Sequence, residues 1–309
     1  MKSIQELQVE DAEEGQRLDR YLADRIPSLS RSQVEKLISE RRIRVDGAIP
    51  TKAGHRLRKG ELIEVTLPPP SPAQPTPEDI PLSILYEDEA LLAVDKPAGM
   101  VVHPAPGHES GTLVNALLFH RPELSSLDRA GLVHRLDRYA SGVLLVAKTE
   151  GVRRALQRQF RRREVRKTYL ALVKGRLEPR RGRIEAPVGR HPRYRKRMAV
   201  VINGRPASTA YQVQAYLKKH TLLEVRPETG RTHQIRVHLS SIGHPVAGDR
   251  VYGRCPSSLG LERFFLHACR LEFIHPISEE WMKVRASLPA ELGKILEKLG
   301  ANLTSYGLL

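Results

Sequence analysis

The sequence predicts an α+β protein: a small α+β unit over residues 1–67, a spacer over 68–80, and a larger unit over 81–309 built on a mixed, largely antiparallel sheet. Three observations carry that expectation. The run PPPSPAQPTP, Pro68–Pro77, holds six prolines in ten residues, which neither extend a helix nor sit inside a sheet, so it forms an extended spacer. Beyond it, short β-rich runs outnumber helical ones. The helices there do not alternate regularly with strands, which disfavours a doubly wound parallel sheet.

Before the spacer, Leu18, Tyr21, Leu22 and Ile26 recur at helical spacing, and SLSRSQVEKLISERR offers Ser30 as an N-cap ahead of Val34, Leu37 and Ile38. IRVDGAI then predicts a hairpin turning at Asp46-Gly47, and KGELIEVTL a further strand. After the spacer, ILYEDEALLAVDKPAGMVVHP reads as two strands around Glu87–Glu89, closed by a Pro-Gly loop. VLLVAK, TYLALVKG, STAYQVQAY, TLLEVRP, CRLEFIHP and WMKVRASLP follow as strands, with helices over Leu113–His120, Arg153–Arg162, Thr232–Ile242 and Pro289–Leu299.

The formal charge of +16 is concentrated: Gly151–Val200 holds 18 Lys and Arg against three Glu, a segment charge of +15. A face built only for solubility disperses both signs, whereas such a patch is the usual footprint of nucleic-acid binding. No apolar run approaches the ~18–20 residues of a membrane span, so no membrane partner is expected. The start, MKSIQELQVEDAEEG, carries no apolar signal core. Cys255 and Cys269 fit neither a metal-ligand spacing nor a disulfide framework, and a cytoplasmic protein is predicted.

Several enzyme classes lose support. There is no G-x-x-x-x-G-K-[ST] loop, no G-x-G-x-x-G turn, no G-x-S-x-G elbow and no H-E-x-x-H pair. The histidines are scattered, and His233 with His238, five apart, do not share a helical face, so no metal site is expected. What remains is polar residues in loops beside apolar strands. HRLDRYASG carries Asp137 between Arg135 and Arg138, and TGRTHQIRVHLSSIGHPVAGD carries Arg231, Thr232, His233, Gln234 and Arg236 at the opening of a helix. In that helix Ile235, Leu239 and Ile242 form an apolar stripe, which leaves Arg236 to point along the sheet edge. An arginine there can pair with a carboxylate and hold it charged where a bound base excludes water.

VHRLDRYASGVLLVAKT, RKTYLALVKG and TGRTHQIRVHLSSIGHPVAGDRVYG, with LLAVDKPAGMVVHP before and LHACRLEFIHP after, resemble in order and spacing the motifs of the RluA/RluD-type pseudouridine synthases, from about Ile84 to Pro289. The part from Arg17 to Leu67 resembles the RNA-binding module named after a small-subunit ribosomal protein. The resemblance implies the pseudouridine synthase catalytic fold, and an isomerase acting on uridines of RNA, above all large-subunit ribosomal RNA. It implies that Asp137 is the essential aspartate, that Tyr169 stacks on the target base, and that Arg236, rather than Arg231, pairs with Asp137. Arg135 would help displace the base, with Arg231, His233 and Gln234 near the RNA, and Arg31, Lys36, Arg41, Arg42 and Arg44 would form the basic surface of the smaller unit.

The implied reaction breaks the bond from ribose to uracil N1, turns the base and joins the sugar to C5. It is neither a net redox step nor a hydrolysis, so no cofactor is expected, and a monomer suffices. Asp137 can attack the sugar, attack the base or remove a ribose proton, and the sequence does not choose among these. Each route needs an oriented carboxylate shielded from water. Two other readings compete: a non-catalytic RNA-binding factor, and a nucleoside hydrolase, which ordinarily wants a second carboxylate opposite the first.

Overall fold

The structure, a computed structural model, describes residues 3–26, 29, 31–67, 75–105, 107–195, 197–253 and 259–301. The expected Ser30 cap, residues 68–74 of the proline run and Cys255 lie outside the described residues. The chain divides into two compact units, Met1–Ala73 and Gln74–Leu309.

In the smaller unit, β1 (Ser3–Gln8) precedes α1 (Leu18–Arg25), α2 (Arg31–Ser39), β2 (Ile43–Val45) and β3 (Leu62–Leu67). Leu18, Tyr21 and Leu22 of α1 and Val34, Leu37 and Ile38 of α2 repeat every three or four residues, so each helix presents one apolar face. Those faces share a core with Ile43, Val45, Ile63 and Val65 of the sheet. Asp46 and Gly47 both adopt positive φ, 48° and 75°, as a tight hairpin turn requires. β1 is the element of this unit without a sequence signal: it pairs antiparallel with β3 from Ser3↔Leu67 to Gln8↔Leu62, and Leu7 and Val9 turn into the core.

The larger unit runs β4 (Ser83–Glu87), β5 (Leu91–Lys96), α3 (Leu113–His120), β6 (Ser141–Ala147), α4 (Glu150–Arg162), β7 (Arg166–Lys174), β8 (Arg181–Glu185), β9 (Val188–Arg190), β10 (Met198–Val200), β11 (Ser208–Leu217), β12 (His220–Pro227), α5 (Gln234–Ser241), β13 (Leu266–Ile274), β14 (Trp281–Arg285) and α6 (Ala290–Lys298). Nine strands form one sheet in the order β4-β5-β6-β13-β7-β12-β11-β8, with β14 on β13. Its only parallel pairing among the described residues is β13 with β6, so the sheet is mixed and largely antiparallel. The chain joins this unit early. Asn115 of α3 donates through Nδ2 to the Thr76 carbonyl at 2.7 Å, and its own carbonyl accepts from the Glu78 N–H at 3.0 Å.

Several element boundaries differ from the sequence expectation by a few residues. α4 begins at Glu150, three residues early, because the Thr149 hydroxyl accepts from the Val152 N–H and caps it. α5 begins at Gln234 rather than Thr232, because His233 takes a left-handed φ of 56°. Ile242, expected in the apolar stripe of that helix, lies at its C-cap and is 40 % exposed. β8 and the β9–β10 pair fall in the arginine-rich segment, where charge masks the strand alternation.

β6 anchors the site. All seven of its residues are buried, with Leu144 and Val146 in one core and Val143, Leu145 and Ala147 in another, the two-residue period of a strand covered on both faces. Gly142 at its start has φ +114°, and a Cβ there would lie 2.2 Å from the Ala268 carbonyl oxygen of β13. Backbone cannot yield as a flexible side chain does, and positive φ itself costs an L-residue about 1–2 kcal/mol. Gly142→Ala is expected to cost about 3 kcal/mol or more in a urea melt; a loss below about 1 kcal/mol would mean that β6 and β13 separate freely.

Candidate active site

The loop Arg135–Ala140 leads directly into β6, and three contacts fix it. The Ala140 N–H donates to the Asp137 carbonyl at 3.0 Å, closing a turn, and the Gly99 N–H donates to the Arg138 carbonyl at 2.9 Å. Lys96, fully buried at the end of β5, donates from Nζ to the carbonyls of Pro97 (2.6 Å), Met100 (3.0 Å) and Arg138 (3.1 Å). Burial pushes the Lys96 ammonium down to about 7, with the Arg263 charge acting in the same direction.

This loop, β7, the C-terminal end of α4 and the segment Pro227–Arg236 enclose a cavity of about 570 Å³, a size common for small-ligand sites. Asp137, Tyr169, Arg236, Arg135, Arg231, His233 and Gln234 all line it. Seven residues expected from three separate motifs thus meet at one place.

Arg236 is the most constrained of them. Its Nη1 donates to Asp137 Oδ2 at 2.9 Å, while Nε and Nη2 donate to the two oxygens of Asp249 at 2.6 and 3.0 Å. The Phe264 ring lies 4.2 Å from the guanidinium and the Tyr252 ring 4.9 Å from it. Burial works against the charged guanidinium, but the hydrogen bonds and charge of Asp249, and then of Asp137, push its pKa up. Asp249 has no exposed side-chain surface, and its Oδ1 also accepts from the N–H groups of Val251 and Tyr252. The Asp137 side chain keeps 19 % of its surface open. The result is a chain of three charges in which one cation serves two acids.

Tyr169 stands on β7 against the apolar core at the cavity wall. Burial pushes its phenol up, and the Asp137 charge adds to the shift, so it stays protonated through the physiological range. The His233 ring meets Tyr252 edge to face, with Nδ1 2.8 Å from the phenol oxygen, which also accepts from the Met198 N–H at 3.0 Å. Burial pushes the imidazole pKa down. Arg135 is exposed at the rim, and Arg231 donates from Nε to the Pro206 carbonyl at 3.3 Å.

Gln234, expected to face RNA, is used inside the protein. Its Oε1 accepts from the Thr229 hydroxyl and the Arg231 N–H, and its Nε2 donates to the Ser208 carbonyl and to the Thr209 hydroxyl oxygen. It braces the turn before α5. In the smaller unit, Arg31 donates twice to Asp19, and Lys36 and Arg42 both reach Glu40. Arg41 and Arg44 are exposed and form no ion pair among the described residues. No described helix is long and apolar enough to cross a membrane, and no group of three or more described His, Cys, Asp or Glu residues is placed to hold a metal ion.

Lys96, Asp249, Tyr252 and Phe264 carry no sequence signal of their role. Asp249 stands in the quoted GDRVYG run, but its contact with Arg236 is tertiary, and no periodicity reports it.

Residues 90–241 match the family described as RNA pseudouridylate synthase, and residues 16–63 match the S4 domain. An uncharacterized RNA pseudouridine synthase of Chloroflexus aurantiacus is 49% identical over 286 residues, 92% of this chain and 90% of the relative. Ribosomal large subunit pseudouridine synthase D of Nitrosomonas europaea is 47% identical over 302 residues, 95% of this chain and 87% of the relative. Among solved structures, human RNA pseudouridylate synthase domain containing 4 superposes with a TM-score of 0.58 at 28% identity, covering 70% of this chain and 92% of that one. The corresponding human domain containing 1 gives 0.57 at 28% identity, over 73% and 97%. With identities near one half over nine-tenths of its length, and with the expected aspartate, arginine and tyrosine gathered in one cavity, the chain belongs to the RNA pseudouridylate synthase family.

Proposed function

We propose that this enzyme converts uridine to pseudouridine in large-subunit ribosomal RNA, as a monomer in the cytoplasm, and that Asp137 carries the chemistry. The observation that supports the reading best is the Asp137–Arg236 contact at the cavity wall. Arg236 engages one carboxylate oxygen, Oδ2, and so orients the acid. A uridine swung out of its stack, at a cost of a few kcal/mol, meets the Tyr169 ring, and stacking returns roughly 1–3 kcal/mol. With water displaced, Asp137 acts at the nucleoside while the N1 glycosidic bond breaks and the C5 bond forms. Arg135, exposed at the rim, helps hold the helix open in the place of the departed base. The S4 domain adds RNA affinity.

The hydrolase reading needs a second acid across the substrate. Asp249 sits behind Arg236 and is no part of the cavity lining, and Glu228, which does line it, is held by Arg183 at 2.9 Å and the Ser208 hydroxyl at 3.0 Å. The substrate is tested by mapping pseudouridines in ribosomal and transfer RNA from cells with and without the gene. Specific sites in large-subunit RNA are expected to vanish on deletion and to return with the wild-type chain; an unchanged ribosomal map with lost transfer-RNA sites would redirect the substrate.

A further inference from the structure

The cavity carries more positive charge than Asp137 needs. Arg135, Arg161, Arg163, Lys167 and Arg231 line it, and none of the five forms an ion pair among the described residues. Three of them cluster where α4 hands over to β7. Arg161 lies in the last turn of α4, on the same helix face as Gln157 four residues earlier, and both reach the cavity. Arg163 is the left-handed C-cap of that helix, at φ 62°. Lys167 follows on β7, partly buried, and its one side-chain hydrogen bond among the described residues is a long 3.4 Å contact from Nζ to the Thr229 carbonyl. A cation kept at a cavity wall without a carboxylate is held at a cost that an incoming anion relieves.

Placement says which anion. Lys167 and Tyr169 are two residues apart on one strand, so their side chains leave the same face about 6.6 Å apart. Both side chains line the same cavity, so the Lys167 cation stands beside the wall on which a base would stack, where the flanking phosphate of that nucleotide passes. We propose that Lys167, with Arg161 and Arg163, forms an anion subsite that grips the RNA phosphodiester next to the nucleotide stacked on Tyr169. The subsite rests on the reading that a uridine occupies the Tyr169 wall. Burial, with the Arg163 charge beside it, pushes the Lys167 ammonium down to about 8, and a bound phosphate reverses that shift. Each contact adds one charge-assisted hydrogen bond and releases counterions.

The test uses the full-length protein and a fluorescein-labelled oligouridylate of about nine nucleotides, titrated over a range of salt concentrations. Lys167→Met is expected to weaken binding roughly tenfold and to make the slope of log K against log salt shallower by about 0.7, the value for one phosphate contact on a single strand. Lys167→Arg keeps the charge and restores both. Arg161→Gln, on an exposed helix position that does not endanger the fold, loses a similar slope, whereas Lys294→Met on α6 changes neither quantity. A probe with neutral methylphosphonate linkages separates grip from scaffolding, because the Lys167→Met deficit disappears on it. The proposal is overturned if Lys167→Met and Arg161→Gln leave the slope unchanged, or if the deficit is the same on the neutral probe, which would make Lys167 only a tie to Thr229. Binding of this probe requires no chemistry. A lost slope without any pseudouridine formation therefore sinks the catalytic reading and not the subsite, and full activity with an unchanged slope does the reverse.

Discussion

Asp137→Asn is expected to bring pseudouridine formation below detection, a fall of roughly ten-thousandfold or more, as when a nucleophile or essential base is removed from other enzymes. Asparagine keeps the shape of the side chain, and its carbonyl oxygen still accepts from Arg236, so the loop has no reason to move. Arg236 also keeps its two bonds to Asp249. RNA affinity should therefore stay within about threefold, since the phosphate-facing cations are untouched. Single-turnover kinetics on a large-subunit RNA transcript, beside a binding titration, separate the two. A mutant with more than a few per cent of the wild-type rate would show that the carboxylate is only an ion-pair partner.

Arg236→Met is expected to be the most costly single change to stability. It leaves Asp249, with no exposed side-chain surface, without its cation, held only by two backbone N–H groups. Breaking one partner of a buried pair costs about 3–5 kcal/mol, which for a unit of this size lowers the melting temperature by about 10 °C. Activity should fall as well, because Asp137 loses its orienting donor. The double variant Arg236→Met, Asp249→Leu separates the effects: removing the stranded charge should recover most of the melting temperature and none of the activity. If the single variant melts within about 2 °C of wild type, Asp249 is not held charged by Arg236.

The sequence made legible what depends on local pattern and on motif order. The strands from β4 to β7 and from β11 to β14 follow from alternation or continuous apolar runs, and the fully buried β6 reads directly from VLLVA. The pairing of Asp137 with Arg236 is foreseen although 99 residues separate them, because the family resemblance assigns both motifs to one site. What escapes is set by tertiary neighbours. β1 shows no clean apolar alternation and is recognisable as a strand only from its pairing with the edge of β3. Asp249 and Phe264 gain meaning from the one guanidinium they surround, and Tyr252 from Arg236 together with His233 and Met198. Gln234 looks like a group for RNA until all its bonding capacity is counted inside the fold.

The chain Asp249–Arg236–Asp137 sums to one negative charge behind a cavity wall whose other charged side chains are cationic except for Glu228, itself paired with Arg183. The pocket is therefore layered: a polyanion is drawn to its positive margin, and its phosphates are repelled from the floor. Only the uncharged parts of a nucleotide, its base and sugar, can settle beside the acid without penalty. The same field that recruits the nucleic acid thus sorts which portion of it advances, and protects the carboxylate from being capped by the strand it attracts.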